Sequence, residues 1–169
     1  MHNTQSYKYF LSLICIYLLL IILDQSTKIY VARVMLNNRF ENIEIFPFLN
    51  ITFVRNTGIS FGLFSNGGLL NRYFFTIFAL IVGLSLLIIA FLNDDRIARF
   101  SLLFISAGAI GNAIDRIYFG GVIDFIDFFL YTLHWPAFNL ADIFITFGVI
   151  LLLFENLFGK NKNAKNINY

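Results

Sequence analysis

Residues Tyr73–Leu92 read YFFTIFALIVGLSLLIIAFL, twenty consecutive residues without a charged side chain. A transmembrane helix needs about 20 mostly apolar residues, because the hydrocarbon core of a bilayer is about 30 Å thick. This stretch therefore predicts a membrane-spanning helix. The composition agrees, since 59% of the 169 residues are hydrophobic and only 13% are charged, against about 25% charged in ordinary soluble domains.

Further apolar runs predict three more spans, at about residues 9–23, 100–118 and 143–158. The first run is short and follows Lys8, as in a signal peptide, but no small-residue cleavage site follows it. We therefore expect an uncleaved first helix. The fold class is an all-α membrane protein with four transmembrane helices, a single domain over residues 1–159, and a disordered basic tail at 160–169.

Four spans place both chain ends on one side of the membrane. Basic residues are denser at the ends and in the loop Asn93–Arg99 than in the long segment Asp24–Arg72, which by the positive-inside rule predicts cytoplasmic N- and C-termini. A net charge of +2 gives no reason to expect a nucleic-acid partner. The lone Cys15 is interpreted as a small apolar side chain.

The segment between the first two spans is too long for a simple connection, so we expect it to be structured. Its part Glu44–Val54 is rich in β-branched and aromatic residues around Pro47, which predicts short strands on either side of a turn. A small extracytoplasmic β platform would satisfy this pattern. In the third span, small residues at four-residue spacing, such as Ala107 and Gly111, predict close helix packing.

Polar residues collect where this topology returns to one membrane face. Asp24 ends the first predicted span, Asn112 and Arg116 lie near the end of the third, and the glycine-bearing loop that follows contains Asp124. Other polar residues at this boundary are Asp115, Asp127, Asn139 and Asp142. Carboxylates are costly in a bilayer, so acids at span ends are functional candidates by default.

Each of these residues also has a structural interpretation. Asp142 could simply favour a helix N-terminus, Asp124 could be a solvated loop acid, and Asp115 could form an ion pair with Arg116 or Lys28. However, Asp124 lies between apolar neighbours, and such burial raises the pKa of a carboxyl group. Two carboxylates sharing one proton are the catalytic unit of aspartic proteases.

Other classes of protein compete for the same residues. A metal site could use Asp124, Asp127, His134 and Asp142, but a single histidine makes a weak ligand set. A small transporter or proton-relay protein could also use interfacial carboxylates, although paired repeats are missing. A structural scaffold would tolerate replacement of the acids. No serine-hydrolase signature is evident.

Five blocks of the sequence resemble the lipoprotein signal peptidases, or signal peptidase II. The blocks are DQSTK at 24–28, RNTG at 55–58 with Phe61, GAIGNAIDR at 108–116, VIDFID at 122–127 and PAFNLAD at 136–142. The chain departs from the family pattern at Ile59-Ser60 and at Ile143.

The resemblance implies an aspartic endopeptidase of the bacterial inner membrane, with its active site near the outer face. It would cleave a diacylglyceryl-modified prolipoprotein just before the lipidated cysteine. Asp124 and Asp142 would be the catalytic pair, and the residues that position or bind substrate would be Asp24, Asn56, Asn112, Arg116 and Asn139. The resemblance implies no metal or organic cofactor. We expect a monomer whose partners are the substrate and membrane lipids.

Overall fold

Four long helices and a small antiparallel sheet form the fold in a computed structural model that describes residues 2–58 and 68–159. The helices are α1 (His2–Asn37), α2 (Gly68–Leu92), α3 (Arg96–Phe119) and α4 (Leu140–Phe154), and a π-helical turn, Glu155–Gly159, follows α4. All four are long and apolar enough to cross a membrane. The predicted four-span fold class is therefore confirmed. The tail at 160–169 lies outside the described residues.

Helix α1 differs most from its predicted span, because it runs on well past residue 23 to Asn37. The charged residues that resembled the end of a span lie inside the helix. Asp24 and Lys28 are four residues apart and therefore on one helix face, where they form an ion pair of 2.9 Å. Both side chains are fully buried, so their charges are compensated within the protein and do not end the helix.

The sheet joins two distant parts of the chain. Strands β1 (Ile43–Phe46) and β2 (Leu49–Asn56) lie between α1 and α2, as predicted, with Pro47 in the turn. Strands β3 (Val122–Leu130) and β4 (Leu133–His134) lie between α3 and α4, where a loop was expected. The strand order is β1-β2-β3-β4 with antiparallel pairing. We call the membrane face that carries this sheet the sheet side.

Helix α3 lies at the centre of the bundle because its small residues let its neighbours approach closely. A Cβ atom added at Gly111 would lie 2.5 Å from Asp24 Oδ2 of α1, and one at Gly108 would clash with the Ala141 carbonyl of α4. The buried apolar core nearby includes Leu13 of α1 and Leu103 of α3. Close packing of α3 was predicted from the small-residue spacing. The close approach at its glycines fixes the position of the polar end of the helix.

Candidate active site

Asp124 lies in the middle of β3 and not in a loop. Its side chain is only 3% exposed, and two amides bind it. Asn139 Nδ2 donates to Oδ1 at 2.6 Å, and Asn56 Nδ2 donates to Oδ2 at 3.1 Å. Asn56 is the last residue of β2, the strand that pairs with β3. The sheet therefore aligns this carboxylate and one of its donors.

Asp142 lies in the first turn of α4, where it takes part in a capping box. The side chain of Asn139 accepts from the backbone N–H of Asp142, and Asp142 Oδ2 accepts from the backbone N–H of Asn139. Such reciprocal bonds satisfy two donors that a helix start otherwise leaves without partners. The same bonds fix the position of the carboxylate, whose other oxygen, Oδ1, accepts from Asn112 Nδ2 at 2.9 Å.

Asn139 connects the two aspartates. Its Oδ1 faces the backbone N–H of Asp142, so its Nδ2 is the end that faces Asp124. A backbone N–H can only donate, which sets the orientation of this amide. One fully buried side chain thus binds both acidic residues and holds them at a common site.

The electrostatics of Asp124 are those of a carboxyl group that retains its proton. Burial, and next the charge of Asp142, raise the pKa of Asp124 to about 7. The hydrogen bonds from Asn56 and Asn139 and the charge of Lys28 oppose this increase. Since desolvation and a like charge both disfavour ionisation, the pair can hold one proton near neutral pH.

A buried cluster of charged side chains lies next to Asp124 and Asp142. Lys28 Nζ donates to Asp24 Oδ2 at 2.9 Å and pairs with Asp115 Oδ2 at 2.8 Å. Gln25 Nε2 donates to both of these aspartates. Asp24 in turn accepts from the backbone N–H of Ala141 at 2.9 Å. Asp24 therefore ties α1 to the start of α4, and Asp115 pairs with Lys28 and not with Arg116.

Arg116 is buried close to the pair but binds backbone oxygens. Its guanidinium donates to the carbonyls of Asn112 at 3.2 Å and Gly58 at 2.8 Å. Within the described part of the chain it makes no hydrogen bond to Asp124 or Asp142. Its positive charge nevertheless interacts with both carboxylates.

A cavity of about 820 Å³ opens beside the two carboxylates. Its polar end contains Asn56, Asn112, Arg116, Asp124 and Asp142. The rest is mainly apolar and is lined from α2 and α4, with residues that include Phe78, Val82, Phe147 and Ile150. The cavity therefore joins an acidic site on the sheet side to an apolar surface along the spans.

The four residues considered for a metal site fall into two separate groups. Asp127 lies three residues beyond Asp124 on β3, and its side chain binds other partners. It contacts His134 Nδ1 at 2.9 Å and accepts from Asn50 Nδ2 at 3.3 Å. Within residues 2–58 and 68–159, no three His, Cys, Asp or Glu side chains are grouped as metal ligands would be.

Sequence reasoning assigned no role to Gln25 and considered Lys28 only as a possible ion-pair partner of Asp115. Both belong to the DQSTK block, from which only Asp24 was assigned. The signal available was the four-residue spacing of Asp24 and Lys28, which on a helix predicts an ion pair. It was not used because the helix was expected to end before Asp24.

A sequence model of the family described as signal peptidase (SPase) II matches residues 16–158. The chain belongs to the signal peptidase II family. It is 41% identical over 162 residues to a lipoprotein signal peptidase of Pelagibacter ubique, which covers 94% of this chain and 95% of the relative. It is also 41% identical over 152 residues to one of Thermodesulfovibrio yellowstonii, covering 90% of this chain and 98% of the relative.

Two solved structures of bacterial membrane enzymes share the fold. One, determined by the in meso method at 2.3 Å resolution, has a TM-score of 0.71 and 33% identity, with 90% of each chain covered. The other, determined by the same method at 1.9 Å, has a TM-score of 0.72 and 35% identity, covering 87% of this chain and 93% of that chain.

Membership of the signal peptidase II family makes the chain a multi-pass membrane protease. This confirms the family that the five sequence blocks indicated. It also disfavours the transporter or proton-relay alternative, because the family match extends over all four helices.

Proposed function

We propose that this signal peptidase II is an aspartic endopeptidase that removes signal peptides from diacylglyceryl-modified prolipoproteins. Curated relatives from two organisms are named lipoprotein signal peptidase. The observation that carries the proposal is the pairing of Asp124 and Asp142 through Asn139 at the polar end of the cavity. Hydrolysis would occur at the peptide bond just before the lipidated cysteine.

The two carboxylates take different roles in the proposed reaction. Asp124 carries the shared proton, because its pKa is raised to about 7, and Asp142 is ionised. Asp142 accepts a proton from water as the water oxygen attacks the scissile carbonyl carbon. Asp124 gives its proton to the carbonyl oxygen, so that a neutral tetrahedral diol forms.

Collapse of the diol restores the enzyme. Asp142 passes its newly gained proton to the amide nitrogen as the carbon–nitrogen bond breaks, and Asp124 takes back a proton from one hydroxyl group. The products are the signal peptide with a new carboxyl group and the lipoprotein with a free amine. No metal or organic cofactor enters this scheme.

The cavity accounts for the choice of substrate. A signal peptide carries an apolar segment, which matches the apolar lining from α2 and α4. The scissile bond would then lie at the polar end, beside Asp124 and Asp142. Arg116 lines this end, and its Nε has no hydrogen-bond partner among the described residues.

We propose that this site faces the outside of the bacterial inner membrane and that both chain ends are cytoplasmic. The density of basic residues at the chain ends and in the loop at 93–99 supports this orientation. We also propose a monomer in contact with membrane lipids. All the side chains that bind the two aspartates come from one chain.

The test is cleavage of a lipid-modified precursor by the purified enzyme in lipid. We expect Asp124→Asn and Asp142→Asn each to abolish cleavage while the protein still inserts, because either change removes one proton carrier. Asp127→Asn is the matched control. It lies on the same strand, but it binds His134 and Asn50 and not the pair, so it should retain activity.

Cleavage by the doubly substituted Asp124→Asn, Asp142→Asn enzyme would refute the two-aspartate mechanism. A chelator such as EDTA should leave the wild-type rate unchanged. Strong inhibition by the chelator, restored by added divalent metal, would instead favour a metal-dependent protease.

A further inference from the structure

Lys28 makes one contact that its ion pairs do not require. Its ammonium group pairs with Asp24 and Asp115, and it also donates to Asn112 Oδ1 at 3.0 Å. An ammonium group has three donors, so these three acceptors use all of them. Two carboxylates already compensate the buried charge, and the third bond extends toward the cavity.

This third bond determines which way the Asn112 amide points. An ammonium group can only donate, so the amide oxygen must face Lys28. The amide NH2 group is then directed away, and it donates to Asp142 Oδ1 at 2.9 Å. Asn112 Oδ1 also accepts from Asn139 Nδ2 at 3.3 Å, which favours the same orientation.

We propose that Lys28 is a positioning residue for hydrolysis, which holds the Asn112 amide so that its NH2 group is donated to Asp142. This inference rests on the proposed function, because it assigns Lys28 a role in holding the proposed general base in place. With Oδ2 bound by the backbone N–H of Asn139, both oxygens of Asp142 then face donors, which hold the carboxylate in one orientation.

Removal of the ammonium group leaves the amide oxygen of Asn112 with the longer bond of 3.3 Å from Asn139 Nδ2. The amide could then rotate by half a turn, and its NH2 group would no longer be donated to Asp142. Lys28 also lowers the pKa of Asp124 through its charge. The other charged groups near the pair are Asp24 of α1 and Asp115 and Arg116 of α3.

The experiment compares kcat and KM for cleavage of a lipid-modified precursor. Lys28→Met alone would leave two buried carboxylates facing each other, so it is combined with Asp115→Asn, which keeps the net charge of the cluster. A second charge-balanced enzyme combines Lys28→Met with Asp24→Asn. We expect kcat to fall about tenfold in both enzymes, with KM little changed, because Asp142 loses one of the donors that hold it.

The control is Ser106→Ala, which removes buried hydrogen bonds between helices away from the site. Ser106 Oγ bonds with Tyr17 of α1 and donates to the Gly83 carbonyl of α2. This variant should lose stability and keep the wild-type kcat. If the charge-balanced variants lose stability but keep the wild-type kcat, or if neither accumulates, Lys28 serves folding alone and the proposal is overturned.

Failure of this inference is distinguishable from failure of the proposed function. Wild-type enzyme that does not cleave the precursor, or that still cleaves it without Asp124 and Asp142, would refute the function. A wild-type enzyme that depends on both aspartates, together with a kcat that the two charge-balanced changes leave unaffected, would refute only the positioning role.

Discussion

The environment of Asp124 on its strand changes the acidity of its carboxyl group. Its neighbours on the strand are buried, and its own side chain is almost fully buried. Burial raises its pKa, and the charge of Asp142 raises it further. The amides of Asn56 and Asn139 limit this rise, because they donate to the ionised form. The balance brings the pKa to about 7.

We therefore expect the cleavage rate to fall as pH rises through about 7, because the proposed reaction needs the protonated form of Asp124. Single-turnover cleavage of a lipid-modified precursor, measured across neutral pH, checks this limb. Asn56→Ala should move the limb to higher pH, since losing a donor to ionised Asp124 raises its pKa further. A rate that stays constant or increases across this range would contradict the assignment.

Among the elements, α3 is the one on which the site depends most. Its glycines bring α1 and α4 close enough for Asp24 of α1 to reach the first turn of α4. Its last turns carry Asn112, Asp115 and Arg116. The same helix therefore provides both the close packing and polar residues of the site. Its small residues lie in the middle, and its polar residues lie toward the sheet-side end.

Gly111→Ala should destabilise the protein by about 1–3 kcal/mol, as overpacking typically does. The new Cβ would lie 2.5 Å from Asp24 Oδ2, a group held by Lys28. Thermal unfolding in detergent measures the effect. Gly83→Ala is the matched control, because its Cβ would meet the flexible end of Ile110 at 2.8 Å, which can move. Equal losses in the two variants would contradict the expectation.

The sequence predicted these elements unevenly, for physical reasons. The charge-free run in α2 and the small residues of α3 depend on local composition, so they could be read directly. The extension of α1 depends on Asp115, which lies 87 positions beyond Lys28 in the chain and compensates its charge. Strand β3 contains two aspartates, and it forms because β2 supplies a paired edge.

The sequence predicted more of the candidate site than of the helix ends and strands around it. Topology alone placed Asp124, Asp142 and Asn139 at one boundary, and the structure brings them together. The hydrogen bonds among them could not be predicted, since they depend on the amide orientations that Lys28 and the start of α4 impose.

At the scale of the whole molecule, the end of the long first helix packs against the sheet and supports it. A helix of 36 residues is about 54 Å long, which exceeds the hydrocarbon core by about 24 Å. Near its end, Val31 and Met35 pack against Phe125 of β3. The sheet is thus supported from α1 while β3 places Asp124 over the bundle.

The proposed orientation predicts which loops a reagent can reach from outside the cell. With Cys15 replaced by serine, Thr132→Cys lies in the exposed β3–β4 turn and Asp94→Cys in the exposed α2–α3 loop. A membrane-impermeant maleimide should label the first in intact spheroplasts and the second only after permeabilisation. The opposite labelling pattern would place the candidate active site on the cytoplasmic face.

The capping box at the start of α4 limits how this enzyme can change over generations. Asn139 and Asp142 begin the helix with the same two bonds that place the proposed base. Codon changes at either position would therefore be selected against twice, once through the loss of folded protein and once through the loss of lipoprotein maturation. A survey of natural variants should find these two positions changing together or not at all.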